Sequence, residues 1–248
     1  AERLAEHVEV VVPDLPGWGR SAAAPVGVDA AFYVELLREM VDGLIGEPTL
    51  IVAAGLPAAY AVALATTHPD RVSGLGLIAP TGLGLHDRGA RFVDRLLFRL
   101  TLVPVLGEAA MHLLTRRPAL ERHLRELTAD SRPVDAVALE EIELNARRAT
   151  TRGALAAFLT GRLDFDARPA LRRLDGLGLP VWLGWGRRAT RPPIEAADLW
   201  LRRLDSARLD VFEQAGSLPH AEAPAEVASR LVSWARASEA VGHRAGAS

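Results

Sequence analysis

The sequence predicts an α/β fold: a mostly parallel sheet with flanking helices and an inserted helical block. Three observations predict it. Short apolar runs bounded by turn residues alternate with helical periodicity at both ends of the chain. One run, Leu50-Ile51-Val52, passes through a tight Gly55-Leu56-Pro57 turn into a small-residue helix that reaches Thr67. Between Leu83 and Leu179 the strand pattern disappears and only amphipathic helical patterns remain.

Taken in order, strands are expected at 8–13, 50–54, 74–79, 180–185 and 209–214. The third stops at Pro80-Thr81-Gly82. Residues 30–44 place Phe32, Leu36, Leu37, Met40 and Leu44 along one helical face. Helices at 193–204 and 224–237 each open on a proline, which suits a first helical turn. Alternating strands and helices imply a parallel sheet covered on both faces. In the middle, apolar residues recur at Phe92, Val93, Leu96, Leu97 and Leu100, at Leu120, Leu124 and Leu127, and at Val137, Ile142 and Leu144. This block reads as a cap over the C-terminal edge of the sheet, where open α/β sheets bind ligands. The expected division is a core at 1–82, a helical cap at 83–175, a second core part at 176–240 and a frayed tail at 241–248. Residues 48–69 carry no formal charge and are long enough to span a bilayer, but Gly55-Leu56-Pro57 breaks the run and favours strand–turn–helix.

Composition narrows the function. At 248 residues one large domain is the default, with room for an insertion. A net charge of -2 gives no electrostatic case for nucleic acid or an anionic membrane. The absence of cysteine excludes disulfides and thiolate metal sites, and fits a cytoplasmic setting. All 29 basic residues are arginine, which excludes lysine Schiff-base and Ser-Lys chemistry and suggests a bacterial, high-GC origin. The histidines lack metal-ligand spacing, so no metal and no cofactor are expected. Residues 1–7 carry charges of both signs and no signal-peptide core.

Four motifs in order carry a resemblance. They are Asp14-Leu15-Pro16-Gly17-Trp18-Gly19-Arg20-Ser21, then His68-Pro69-Asp70-Arg71 with Leu77-Ile78-Ala79-Pro80, then Trp185-Gly186-Arg187-Arg188-Ala189, and finally Gly216-Ser217-Leu218-Pro219-His220 with Glu222-Ala223-Pro224. Together with the strand–turn–helix at Gly55, they resemble the α/β-hydrolase superfamily, in the branch with a helical cap. In that family the turn carries G-x-S-x-G with an exposed serine. Here the five positions read Ala53-Ala54-Gly55-Leu56-Pro57. By the same resemblance the acid position is Ala189 and the histidine position is Ser217. A Ser-His-Asp set needs a nucleophile, a base and an orienting carboxylate, and loss of the nucleophile alone costs on the order of a million-fold. The family also places three strands before the Asp14–Ser21 turn, one of them between the 8–13 strand and the strand of the Gly55 turn. The chain starts at Ala1, so either an N-terminal segment is missing or a central strand comes from elsewhere.

The resemblance implies a ligand between sheet and cap. The substrate-lining residues expected are Trp18, Leu56, Thr81, Trp185, Arg188 and Ser217, with His220 as a replacement base and Leu56 N–H as half of an anion hole. Asp14 is expected to be structural, and Glu140, Glu141, Glu143, Arg147 and Arg148 to form a solvated helix face. The leading expectation is a cofactor-independent, non-hydrolytic enzyme of bacterial natural-product biosynthesis. It would act on an apolar, polycyclic or polyketide-like molecule by cyclisation, C–C bond formation or rearrangement. The alternatives are a catalytically inactive ligand-binding or sensor protein, and a hydrolase whose nucleophile has moved to Ser217 or Thr81. Nucleic-acid and membrane partners are not expected, and a homodimer stays open.

Overall fold

The computed structural model describes residues 1–83, 103, 106–129 and 135–245. Its centre is a four-stranded parallel sheet in the order β1-β2-β3-β4. The strands are β1 (Thr49–Ala54), β2 (Val72–Ile78), β3 (Val181–Gly186) and β4 (Ala207–Phe212). Ahead of the sheet come α1 (Glu2–Ala5) and α2 (Ala30–Met40). The Asp29 side chain caps α2 by accepting the Phe32 N–H. A π-helical turn, Val41–Ile45, ends it at the left-handed Gly46. Between β1 and β2 lies α3 (Leu56–Thr67), with Pro57 in its first turn.

The strands alternate in register. Ala53, Leu77, Leu183 and Leu209 form one row across the sheet. This face packs with the buried helix α3, which is apolar all round. The opposite face presents Ile78, Trp182 and Phe212 to Val227, Leu231 and Trp234. Those three lie on the last helix (Pro224–Ala245). The result is a layered core with helices on both sides of the sheet. A third cluster, around Tyr33, Tyr60, Ala156 and Leu163, joins α2 and α3 to the inserted segment. Burying Tyr60 requires a partner for its hydroxyl, which donates to Leu163 O at 2.6 Å.

The insertion is helical among its described residues: α4 (Leu106–Leu114), α5 (Arg117–Leu127), α6 (Ala136–Ala146) and α7 (Arg152–Leu159). The expected helix around Phe92–Leu100 lies outside the described residues. Next comes α8 (Arg168–Asp175), which buries Leu171 and Leu174 in the core beneath α3. Within the stretch read as cap, α8 is therefore a core helix. The chain continues through β3, α9 (Ala197–Leu201), β4 and α10 (Pro219–Glu222) to α11 (Pro224–Ala245).

Three expectations are corrected. Residues 8–13 form no strand; Val8, Val11 and Val12 are 55%, 49% and 69% exposed. Their β-branched composition favours extension, but a strand needs a neighbouring ladder, and no described strand pairs with this segment. Val137 and Leu144 on α6 face solvent, while Leu139 is the buried position. Helix α11 continues to Ala245, where a frayed tail from 241 was expected. Residues 241–245, Val-Gly-His-Arg-Ala, contain no proline to stop it. The uncharged stretch at 48–69 forms β1 and α3, and no described helix is long and apolar enough to cross a membrane.

Candidate functional site at the carboxyl edge of the sheet

Parallel sheets collect ligands beyond the C-terminal ends of their strands. Four chain segments meet that edge here: the β1–α3 turn at Gly55, the residues after β2, the loop after β3, and the loop after β4.

The β1–α3 turn is the sharpest of them. Gly55 adopts φ 62 and ψ -124, a conformation that costs an ordinary residue strain. A Cβ built at Gly55 would find no described atom within 4 Å. The first N–H groups of a helix have no partner inside it. In α3 Pro57 has none to offer, and Ala58 N–H reaches Gly55 O at 3.3 Å. Leu56 N–H has no partner among the described residues and remains available beside the open space.

The backbone after β2 is also strained. Ala79 has φ 41, the one non-glycine with positive φ among the described residues. It turns the chain so that Thr81 N–H donates to Gly55 O at 3.2 Å. The Thr81 hydroxyl is buried and finds no hydrogen-bond partner among the described residues. An orphaned buried hydroxyl is rare and calls for an explanation. Thr81 and Leu56 are thus brought to the same turn.

The other two loops are tied off. Ser217 is buried, and its Oγ accepts the N–H groups of Thr190 at 3.2 Å and Arg191 at 3.1 Å. Ala189 is buried beside them in the core. The end of α5 lies directly on these loops. Ser217 N–H donates to Leu127 O at 2.7 Å, and Thr190 Oγ1 donates to Glu126 O at 2.7 Å. Arg191 pairs with Glu126 at 3.2 Å. A side chain at Gly216 would run into Leu127 O, so only glycine lets the helix end come this close. Glu222 closes the arrangement by accepting Gly216 N–H at 2.8 Å and Ala129 N–H at 2.7 Å. Sequence reading took Glu222 only as part of a motif and missed this role; no local signal reports a contact so distant in sequence.

The remaining site expectations fall elsewhere. Trp185 is fully buried and donates to Pro192 O at 3.1 Å, which makes it core. Trp18 donates to the Tyr33 hydroxyl at 3.1 Å and meets Phe158 edge-on, within the cluster that joins α2 and α7. Arg188 is exposed and bonds Gln214 at 3.0 Å, and Arg187 pairs with Glu213. His220 is exposed by surface area, yet surrounding atoms desolvate its ring and lower its pKa, against the opposing pull of Glu222. Asp14 is structural: it accepts Arg20 N–H at 2.9 Å, and its carbonyl accepts the Ser21 hydroxyl. No described group of three or more His, Asp or Glu side chains is placed to hold a metal.

Comparison with known proteins places this geometry in context. A family model described as the alpha/beta hydrolase family matches residues 1–230. An uncharacterised protein of Mycobacterium tuberculosis is 25% identical over 234 residues, covering 90% of this chain and 66% of its own length. The chain therefore spans about two thirds of the curated relatives it matches. Among solved structures, a serine hydrolase involved in carbazole degradation superposes with a TM-score of 0.75 at 17% identity, covering 95% of this chain and 82% of its own. A thermophilic esterase from Thermogutta terrifontis superposes with a TM-score of 0.74 at 21% identity, covering 96% and 83%. The expectation of a degenerate triad serving non-hydrolytic cyclase or lyase chemistry is overturned by these likenesses. Most of the similar structures carry hydrolase names, among them two esterases, a phospholipase and a meta-cleavage product hydrolase, while another is named as a non-heme bromoperoxidase of Mycobacterium tuberculosis.

Proposed function

The chain belongs to the alpha/beta hydrolase family, and we propose that it holds a small, largely apolar, ester-type molecule by its carbonyl oxygen at the β1–α3 turn. One observation carries this reading. Gly55 keeps the sharp turn with open space at its Cβ position, and Leu56 N–H beside it is unspent. Such an N–H at a helix start favours a partly negative oxygen. The Thr81 hydroxyl is a second donor at the same turn. Residue 55 offers no side chain to attack the carbonyl carbon, so the ligand is retained rather than cleaved there.

A second reading rests on a specific observation, the buried and unpartnered Thr81 hydroxyl. In it the chain is a hydrolase whose nucleophile is Thr81. Its Oγ1 forms a bond to the acyl carbon, the C–O bond to the alcohol breaks, and the Thr81 proton leaves with the alkoxide. Water then cleaves the acyl-threonine.

One experiment separates the two. The protein is incubated with p-nitrophenyl butyrate, with butyrate and with a fluorophosphonate probe. Retention predicts a butyrate-induced shift of the Leu56 N–H resonance, no p-nitrophenol release and no probe adduct. The hydrolase reading predicts p-nitrophenol release and an adduct on Thr81, both abolished in Thr81→Val. No shift at Leu56 together with no turnover sinks both.

A further inference from the structure

A separate cavity opens in the helical insertion, away from the β1–α3 turn. It has a volume of about 450 Å³ and lies between the end of α4, the end of α6 and the start of α7. Its lining includes Arg147, Arg148, Arg152, His112 and Thr115, and no acidic residue among the described ones. Arg147 is held by Glu143 at 2.7 Å, and Arg148 donates to Gly19 O at 3.2 Å. The Glu143 carboxylate offsets part of the Arg147 charge, and the Arg148 bond ties the cavity wall to the Pro16–Ser21 turn of the core. Arg152 stands at the first position of α7, where the helix dipole adds positive potential.

We propose that this cavity binds an organic phosphomonoester. Three arginines line this cavity, and guanidinium groups match the planar, forked recognition of phosphate oxygens. A phosphomonoester carries close to two negative charges at neutral pH, which suits a multi-arginine wall better than a single carboxylate does. The volume falls in the range of small-molecule sites, so the phosphate bears an organic substituent. Thr115 and the Ala109, Ala146 and Ala149 positions supply a small, mostly apolar floor for that substituent. The site is independent of the carbonyl site proposed above.

The test is calorimetric titration at low salt with phenyl phosphate, inorganic phosphate and phenol. Phenyl phosphate is expected to bind one to one, more tightly than inorganic phosphate, and phenol not at all. The double variant Arg147→Gln/Arg152→Gln should weaken phenyl phosphate by about tenfold or more, the scale of one lost charge-assisted hydrogen bond. Arg236→Gln, on the exposed side of α11, should leave it unchanged. Circular dichroism reports whether the double variant folds. A second arm uses the unaltered protein: phenyl phosphate should protect Arg147 and Arg152 from phenylglyoxal, read by peptide mass mapping. The proposal is overturned by no binding of phenyl phosphate at millimolar concentration, by equal binding to the folded double variant, or by absence of protection.

Discussion

The Glu222 carboxylate accepts the N–H of Ala129, 93 residues earlier in the chain, at 2.7 Å. Its other oxygen accepts Gly216 N–H at 2.8 Å. One side chain therefore fastens the end of α5 to the loop after β4. Hydrogen bonds to a charged acceptor contribute about 1.5–3 kcal/mol each, and orphaned buried N–H groups add a further cost. Replacing Glu222 by Ala is expected to destabilise the fold by roughly 2–4 kcal/mol in urea denaturation. The Ala129 amide should lose hydrogen-exchange protection in the same variant. Unchanged exchange at Ala129 would show that α5 is held by its other contacts alone.

A second tie between the insertion and the core runs through Tyr60. Its ring stacks on Tyr33 at 5.9 Å, and its hydroxyl donates to Leu163 O at 2.6 Å. Burial raises the pKa of both phenols; a hydrogen bond from Trp18 partly opposes it for Tyr33, and the neighbouring Tyr33 adds to the rise for Tyr60. A raised folded pKa means that the unfolded chain loses its proton first. The stability from this pair is complete below the ordinary tyrosine value of 10.0 and is lost as pH climbs past it. Tyr60→Phe is expected to cost about 1–3 kcal/mol at neutral pH, because Leu163 O loses its partner. The same variant should show a shallower loss of stability above the tyrosine range, measured by urea midpoints across alkaline pH.

Much of this architecture is legible from local pattern. The turn at Gly55 could be read because strand, glycine and helix sit at fixed spacing, and its φ of 62 is what a glycine there permits. The β3 run could be read because both faces of the sheet are covered there, which makes it continuously apolar, whereas β4, at the sheet edge, interrupts its apolar residues with Arg208 and Asp210. Residues 8–13 misled for the opposite reason: valine-rich composition reports a preference for extension, while strand formation depends on a partner ladder. The periodicity at Val137 and Leu144 misled because it gives a face but not what the face meets. In the site, Leu56 could be singled out because it follows Gly55 directly, while the place of Thr81 beside it depends on the backbone at Ala79. Trp185 was misplaced because a tryptophan at a strand end packs inward or outward with the same sequence signature. The Glu222 contact and the arginine-lined cavity depend on segments far apart in sequence, and no spacing rule reports them.

His220 provides a test on the acid side. Desolvation is the main cause of its lowered pKa, and the Glu222 carboxylate pulls the other way. A lowered folded pKa in a base means that the unfolded state takes up the proton first. Stability is therefore expected to fall as pH drops through the ordinary histidine value of 6.5, and to level once the folded imidazole also protonates. The large exposed surface of His220 keeps this contribution small. His220→Gln should flatten the corresponding step in a urea-midpoint profile between neutral and mildly acidic pH. A profile identical to the parent protein would assign the acid sensitivity to other groups.

The open space at Gly55 makes the sharpest prediction. A serine there meets no described atom within 4 Å of its Cβ, so the cost is backbone strain alone. For a non-glycine residue in such a conformation that cost is about 1–3 kcal/mol. In a chain of this size each kcal/mol lowers the melting temperature by about 2–4 °C. Gly55→Ser is therefore expected to fold, with a melting temperature lower by roughly 2–12 °C. Its hydroxyl would project into the space assigned to the ligand carbonyl. Butyrate affinity should then change while phenyl phosphate affinity does not, because the arginine-lined cavity is built from other elements. A Gly55→Ser protein that fails to fold would mean that the turn is closed by atoms close to residue 55, and the carbonyl site would fall with it.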